Sequence, residues 1–202
     1  MARPPATAKR LDLARRAVAV LQAEGVDVST QRLADALAVK RPTLLYHFPT
    51  RAHIAELALE DLLREQTAFV LPRVLACEHP LDQIYAHVVA VHAFHSGREA
   101  RLVFLAQAIA TCGEDRMAEI IAVGNTVFAP YREAMAQRLR DGIAAGTVAP
   151  VDPDALMAVV RALMDGLVLQ RVMTGLDLAP VHDLLWTQLL QPLKRNPLEN
   201  AP

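Results

Sequence analysis

Apolar residues recur at intervals of three or four positions along nearly the whole of this chain, and that spacing constrains its fold more than any other feature. Residues three and four apart share one face of an α-helix, whereas a strand alternates every second residue. The apolar residues are mainly Ala, Leu and Val, and aromatic residues make up only 4% of the chain, a mixture that favours helices. We therefore predict an all-α protein with about nine helices.

Start and stop signals divide the N-terminal quarter into short predicted helices. Gly25 can end a helix because glycine adopts the left-handed conformation without strain, and Pro42 is tolerated in a first helical turn. The predicted helices are a first over about 8–24, a second capped by Ser29 or Thr30, a third beginning near Arg41, and a fourth over about 51–69, capped by Thr50.

Longer helices are predicted beyond Pro72. Asp152 followed by Pro153 is a strong helix start, and Asp165, within an apolar stretch, is expected to be buried and hydrogen-bonded. The predicted ranges are 80–96, 98–112, 115–145 with an interruption near Gly124 to Pro130, 153–174 ended by Gly175, and about 180–193.

Charge is distributed unevenly along the chain. Residues 1–51 contain nine Lys and Arg residues and four acidic residues, a net charge of +5, although the whole chain has a net charge of -1. The remaining residues therefore carry -6. A basic end on an acidic body suggests that one end faces a polyanion, although charge alone does not exclude an ordinary solvated surface.

The segment 29–54, STQRLADALAVKRPTLLYHFPTRAHI, predicts two short helices joined by a tight turn and braced by the first helix. This arrangement is a helix-turn-helix, whose second helix enters the major groove of DNA. Leu44 is the natural inward residue of that second helix, so its polar neighbours are expected to face outward. The pattern therefore indicates DNA binding.

The amino-acid pattern of this segment resembles that of the tetracycline-repressor (TetR) family of bacterial regulators, which shows a pattern like L-A-x-x-L-G-V-x-x-x-T-L-Y-x-H-F-x-x-K. The resemblance extends over about residues 9–60. Three positions depart from it: Ala38 replaces the usual glycine of the turn, Leu45 replaces a phosphate-contacting tyrosine that Tyr46 follows, and Arg51 replaces a lysine. Arg51 keeps the positive charge of that lysine, and the family pattern ends in an apolar residue three positions later. The residues in matching places are Leu33, Ala34, Leu37, Val39, Thr43, Leu44, His47, Phe48, Arg51 and Ile54.

The resemblance implies contacts to double-stranded DNA. Arg41 would pair with guanine and Gln31 with adenine, while Pro42 and the Thr43 methyl group would touch a thymine methyl group. Five further residues would contact phosphates and fix the register on the duplex, namely Thr30, Lys40, Tyr46, His47 and Arg51.

The resemblance also implies a repressor that a small, mostly apolar ligand releases from a palindromic operator. We expect a DNA-binding domain over 1–50, a regulatory and dimerisation domain over 51–195 and a mobile tail over 196–202. Two-fold operator symmetry calls for a homodimer, whose interface should include Leu163, Leu167, Leu185 and Leu189. The candidate ligand-binding residues are His92, His95, Gln107, Asn125 and Tyr131.

Other functions have weaker support in the sequence. No nucleophile-and-base pattern, glycine-rich phosphate loop or metal spacing is present, so no enzyme activity, cofactor or metal is expected. A helical enzyme or metal-binding protein using the histidines between 79 and 95, and a protein–protein adaptor, remain alternatives. Cys77 and Cys112 fit no redox motif, and neither a secretory leader nor a membrane span is evident, which predicts a cytoplasmic protein.

Overall fold

The computed structural model describes residues 5–25, 27–110 and 114–195, and within these ranges the chain forms nine α-helices. The helices are α1 (Pro5–Glu24), α2 (Thr30–Ala36), α3 (Arg41–His47), α4 (Arg51–Leu75), α5 (Pro80–His95), α6 (Glu99–Ala110), α7 (Glu114–Ala144), α8 (Pro153–Thr174) and α9 (Ala179–Leu184). A π-helical turn, Leu185–Leu190, and a 3-10 turn, Gln191–Leu193, follow α9. The predicted all-α architecture is confirmed, while the predicted tail and Cys112 lie outside the described residues.

Two predicted helix boundaries were wrong, and both involve proline. Helix α4 continues past Pro72 to Leu75, and α7 runs without interruption through Pro130. A proline within a helix removes one hydrogen bond, but both prolines are exposed, so water can bond to a carbonyl that loses its helical partner. The bonds on either side then keep the helix intact.

The chain divides into two compact units, of which the first comprises residues 1–65 and 100–125. Its core includes Leu13 and Val18 of α1, Leu33 of α2 and Leu44 of α3, all buried. Burial of large aliphatic side chains stabilises such a small unit by about 1.5–3 kcal/mol for each fully buried residue. The apolar faces of α1, α2 and α3 therefore fix the position of α3 relative to α1.

The second unit comprises residues 66–99 and 126–202. Leu81 and Val88 of α5, Leu139 of α7 and Val160 of α8 are buried in one continuous apolar cluster. Helix α8 begins where Asp152 accepts hydrogen bonds from two backbone N–H groups, and it ends at Gly175 with φ of 70°, as the sequence predicts. Among the described residues, no helix is both long and apolar enough to cross a membrane.

Candidate nucleic-acid interface

The turn between α2 and α3 is fixed by local hydrogen bonds. Ser29 caps α2, because its Oγ accepts from the Arg32 N–H at 3.1 Å, and Thr30 is the first helical residue. At the other end, the Ala38 N–H donates to the Asp35 carbonyl and the Val39 N–H to the Ala34 carbonyl, both at 3.0 Å. This pair of bonds is the Schellman motif, and it places Ala38 at φ of 55°. The departure from glycine noted in the sequence thus falls on the left-handed residue of the turn.

Helix α3 has one buried and one exposed face. Leu44 and Phe48 are buried and anchor the helix to the core of the first unit. On the opposite side Pro42 is exposed and Tyr46 is 81% exposed, and Arg41 is exposed at the first position of the helix. This exposed face has the shape and chemistry of a helix that enters a groove.

The cationic side chains at the start of α3 are not used inside the protein. Lys40 and Arg41 are exposed, and neither side chain has a hydrogen bond or ion pair with the described residues. Thr43 and His47 are half-buried on the flanks of the helix, and the His47 ring lies edge-on to Tyr46 with the ring centroids 5.2 Å apart. Lys40 and Arg41 therefore present unused N–H donors beside the exposed face of α3.

Two other predicted DNA-contact residues have partners within the chain. The Gln31 amide nitrogen donates to the Asp35 carboxylate at 2.8 Å, which leaves the amide oxygen and one N–H available. The Arg51 guanidinium donates to the Val28 carbonyl, so it ties the start of α4 to the segment before α2. Both residues combine an internal contact with an exposed position.

Contacts from α1 hold the helix-turn-helix in place, and sequence reasoning did not find them. The Arg16 guanidinium donates to the Leu37 carbonyl at the end of α2, at 2.8 Å. Arg32 of α2 donates to both oxygens of Glu24, at 2.7 and 2.9 Å, and this bond lowers the pKa of the Glu24 carboxyl. The partners are eight or more residues apart, so no helical spacing marks them in the sequence.

Comparison with known proteins places this interface in a family. Residues 13–58 match the family of bacterial regulatory proteins described as the tetR family. Residues 13–58 therefore form a DNA-binding domain of the tetR type. The match covers α1 to α3 and the first part of α4, which are the elements that build the exposed α3 surface. Among curated proteins, none matches this chain.

Solved TetR-family structures have the same fold along most of the chain. PfmR from Thermus thermophilus is 19% identical, with a TM-score of 0.64, over 92% of this chain and 97% of PfmR. The ketosteroid transcriptional regulator KstR2 of Mycobacterium tuberculosis is 19% identical, with a TM-score of 0.61, over 93% and 96%. AibR, solved with isovaleryl coenzyme A and operator DNA, is 17% identical, with a TM-score of 0.63, over 90% and 98%. At these identities the similarity shows the fold alone.

The predicted ligand-binding residues are divided between the two compact units. His92 and His95 are buried in the second unit, and Tyr131 of the same unit stacks on His87 with the ring centroids 4.6 Å apart. Gln107 and Asn125 belong to the first unit and are exposed. Their role in ligand binding stays a prediction.

Each histidine of the predicted cluster has its own surroundings. His92 donates from Nε2 to the Met164 carbonyl at 2.9 Å, so its Nδ1 accepts from His182 at 2.7 Å. Burial lowers the pKa of both rings in this pair. His95 donates to the Gln66 side chain at 2.9 Å, and His79 caps α5 by accepting from the Leu81 N–H.

The remaining ring, His87, is the exception. Burial lowers its pKa to about 4, and its Nδ1 is buried without a hydrogen-bond partner in the described part of the chain. Across the described ranges, no three His, Cys, Asp or Glu side chains lie close enough together to hold a metal ion. The histidine spacing that raised the metal alternative therefore corresponds to separate contacts.

The predicted interface leucines lie mostly inside the single chain. Leu167 and Leu185 are buried, and Leu163 and Leu189 are half-buried against the core of the second unit. Their contact with a second copy stays a prediction. The large apolar side chains that α8 and α9 do expose are Val159, Leu169, Val172, Met173 and Leu184.

Asp165 was predicted to be buried, and this was wrong. Its side chain is 59% exposed and accepts from Arg161, one helical turn earlier. The apolar side chains around it in the sequence do not enclose it, because part of the apolar surface of α8 itself faces outward.

Proposed function

We propose that this TetR-family DNA-binding regulator is a homodimeric repressor of a palindromic operator, and that a small, mostly apolar molecule releases it. The observation that carries the proposal is the exposed start of α3, where Lys40 and Arg41 have no side-chain hydrogen bond or ion pair among the described residues. An exposed cation with unused N–H donors on a groove-sized helix is suited to phosphate and base contacts. The proposed domains are 1–50 for DNA binding and 51–195 for regulation and dimerisation.

Within this proposal the DNA contacts divide into two kinds. Arg41, Gln31 and Thr43 with Pro42 read base edges, and Arg41 makes the strongest contact because its fork matches guanine. Asp35 holds the Gln31 amide in one orientation, which suits the donor–acceptor pair that adenine requires. The phosphate contacts come from Thr30, Lys40, Tyr46, His47 and Arg51.

Selection of bound sequences from a random DNA pool tests the DNA contacts. We expect a pseudo-palindromic site whose affinity falls steeply with salt concentration, because phosphate contacts release counterions. Arg41→Ala should weaken binding by about 1–3 kcal/mol and relax the preference at one base position in each half-site. Arg140→Ala, an exposed arginine of α7, is the matched control and should leave affinity and preference unchanged. An unchanged base preference in Arg41→Ala would contradict the assignment.

The proposed dimer uses the exposed apolar surface of α8 and α9. Five large apolar side chains exposed on these two helices favour an interface, since their burial against a second copy removes apolar area from water. Helices from each copy would form a four-helix interface, the arrangement expected for two-fold symmetry.

Sedimentation at micromolar concentration tests the dimer. Leu169→Glu should give a monomer, whereas Leu71→Glu, at a position of α4 with 41% exposure against 51% for Leu169, should remain a dimer. A wild-type protein that sediments only as a 22.1 kDa monomer would refute the proposed interface.

The proposed effector acts through a shift between conformations. A ligand releases the operator only if it binds more tightly to a conformation in which the two α3 helices no longer match the half-sites. Screening compounds for release of protein from the selected operator tests this. Compounds that bind the protein and leave operator affinity unchanged in every case would argue for a regulator that needs no effector.

A further inference from the structure

A cavity of about 280 Å³ lies within the first unit, lined by residues of α1, α4 and α6. Its volume is close to the lower end of small-molecule pockets, about 300–1,000 Å³. Val18, Ala19 and Ala58 form its apolar wall, and Arg15, Glu65 and Arg101 its charged wall. None of these residues belongs to the proposed DNA contacts or to the proposed effector site.

The charged wall is built on a fixed ion pair. Asp61 of α4 has a side chain that is only 1% exposed, and it accepts from Arg15 Nε at 2.5 Å and from Nη2 at 2.8 Å. This two-bond geometry orients the Arg15 guanidinium, because both planar groups are constrained. Breaking the pair would leave the Asp61 carboxylate, which is almost fully shielded from water, without its two-bond partner, so this pair is a permanent part of the wall.

The second carboxylate is held more loosely. Glu65 lies one turn after Asp61 on α4, and its side chain is 35% exposed. One of its oxygens is 3.1 Å from Arg15 Nη2, and the other is 3.1 Å from Arg101 Nη1. The pair with Arg15, whose side chain is 49% exposed, contributes little, since water competes for both partners. The pair with Arg101, whose side chain is 24% exposed, is less solvated. An incoming carboxylate that bonds to the same two guanidiniums would replace both pairs, so Glu65 can leave when a ligand binds.

The local charge favours an added anion. Three guanidiniums, those of Arg15, Arg64 and Arg101, lie within 4.0 Å of the carboxylates of Asp61 and Glu65, as the described part of the chain shows. A cluster with one cation in excess attracts an anion, and the flat guanidinium fork matches a carboxylate in particular. The apolar wall beside the cluster suits a short hydrocarbon chain.

We propose that this cavity binds a small aliphatic carboxylate, which takes the place of the Glu65 side chain on Arg15 and Arg101. The carboxylate of the ligand bonds to the two guanidiniums, its alkyl chain lies against Val18 and Ala19, and Glu65 turns into solvent. Glu65 thus occupies the anion position when no ligand is bound. The proposal does not depend on DNA binding or on the identity of an effector for the second unit.

Butyrate, followed by saturation-transfer NMR on the full-length protein at constant ionic strength, is the test. We expect millimolar binding of butyrate and at least tenfold weaker binding of the neutral butyramide. Glu65→Gln should tighten butyrate binding about two- to tenfold, because it removes the carboxylate that competes for the guanidiniums of Arg15 and Arg101. Arg101→Gln should weaken it by at least tenfold. Inorganic phosphate, which lacks an alkyl chain, should bind more weakly than butyrate.

A cavity-filling variant separates this site from general charge effects. Ala19 is exposed at the cavity wall, so Ala19→Leu should fold normally, leave every charge in place and abolish butyrate binding. Circular dichroism confirms folding of each variant. The proposal is overturned if butyramide binds as well as butyrate, if Glu65→Gln weakens binding or leaves it unchanged, or if Ala19→Leu retains it.

Discussion

Ala38 is the residue of the helix-turn-helix that carries a conformation unfavourable to its own side chain. Its φ of 55° lies in the left-handed region, where the Cβ atom of an L-residue approaches the following carbonyl oxygen. The N–H groups of Ala38 and Val39 both bond to the end of α2 at 3.0 Å, so the turn holds this conformation in place. Replacing Ala38 with glycine should therefore stabilise the protein.

The expected change in the free energy of unfolding is the difference between two contributions. The left-handed conformation costs an alanine about 1–2 kcal/mol, and glycine removes that cost. Glycine also gives the unfolded chain more conformational freedom, which stabilises the unfolded state by about 0.4–1 kcal/mol. We expect Ala38→Gly to raise the free energy of unfolding by about 0.5–1 kcal/mol, or the Tm by about 1–4 °C for a chain of this size.

Thermal and urea unfolding at one fixed protein concentration measure this change, because the stability of the proposed dimer would depend on concentration. Ala134→Gly is the matched control: Ala134 is exposed within α7, where the same substitution should cost about 0.5–1 kcal/mol. Ala38→Asn should fall between alanine and glycine, and Ala38→Val should be the least stable. If Ala38→Gly and Ala134→Gly lowered the stability equally, the left-handed turn would carry no cost and the reasoning would fail.

Two further predictions concern buried ionisable groups. Asp61→Asn should lower the free energy of unfolding by about 1–3 kcal/mol, because the amide N–H of the new side chain faces the Arg15 donors. Asp82→Asn, at an exposed pair with Lys194, is the control and should change it by less than about 0.5 kcal/mol. Urea unfolding measures both. Burial lowers the pKa of His87 from 6.5 to about 4, so the unfolded state binds the proton first and stability should fall as the pH drops through this window. His87→Gln should remove about 2–4 kcal/mol of that pH dependence, and an unchanged slope in a stability–pH series would contradict it.

The helix-turn-helix could be predicted from sequence because its determinants are local. Ser29 and Thr30 were the two candidate caps for α2, and Leu44 was the expected inward residue; the structure selects Ser29 and buries Leu44. Caps, turns and helical faces depend on residues within one or two turns of each other. The ion pairs that brace the unit, such as Arg32 with Glu24 and Arg15 with Asp61, join different helices and left no pattern to read.

Predictions made from prolines and histidines were less successful, because the surroundings of these residues are not visible in local sequence. The effect of Pro72 or Pro130 depends on whether solvent reaches the helix at that point, and the chemistry of His92 depends on the distant His182 and Met164. Residue spacing marks which side chains share a helical face, but not what each one meets on other helices. His92 and His95 share the spacing of metal ligands, yet each ring is hydrogen-bonded to a different residue.

In helix α8, residue spacing does not show which apolar side chains are buried, whereas the structure does. The spacing predicts one apolar face for α8 that includes Leu156, Val159 and Val160, but Val159 is 48% exposed. Leu156 and Val160 are buried within the chain, while Leu169 and Met173 are exposed. A helix that is apolar on both faces is stable in water only if its second face is also covered. We therefore propose that a second copy docks on the exposed side of α8.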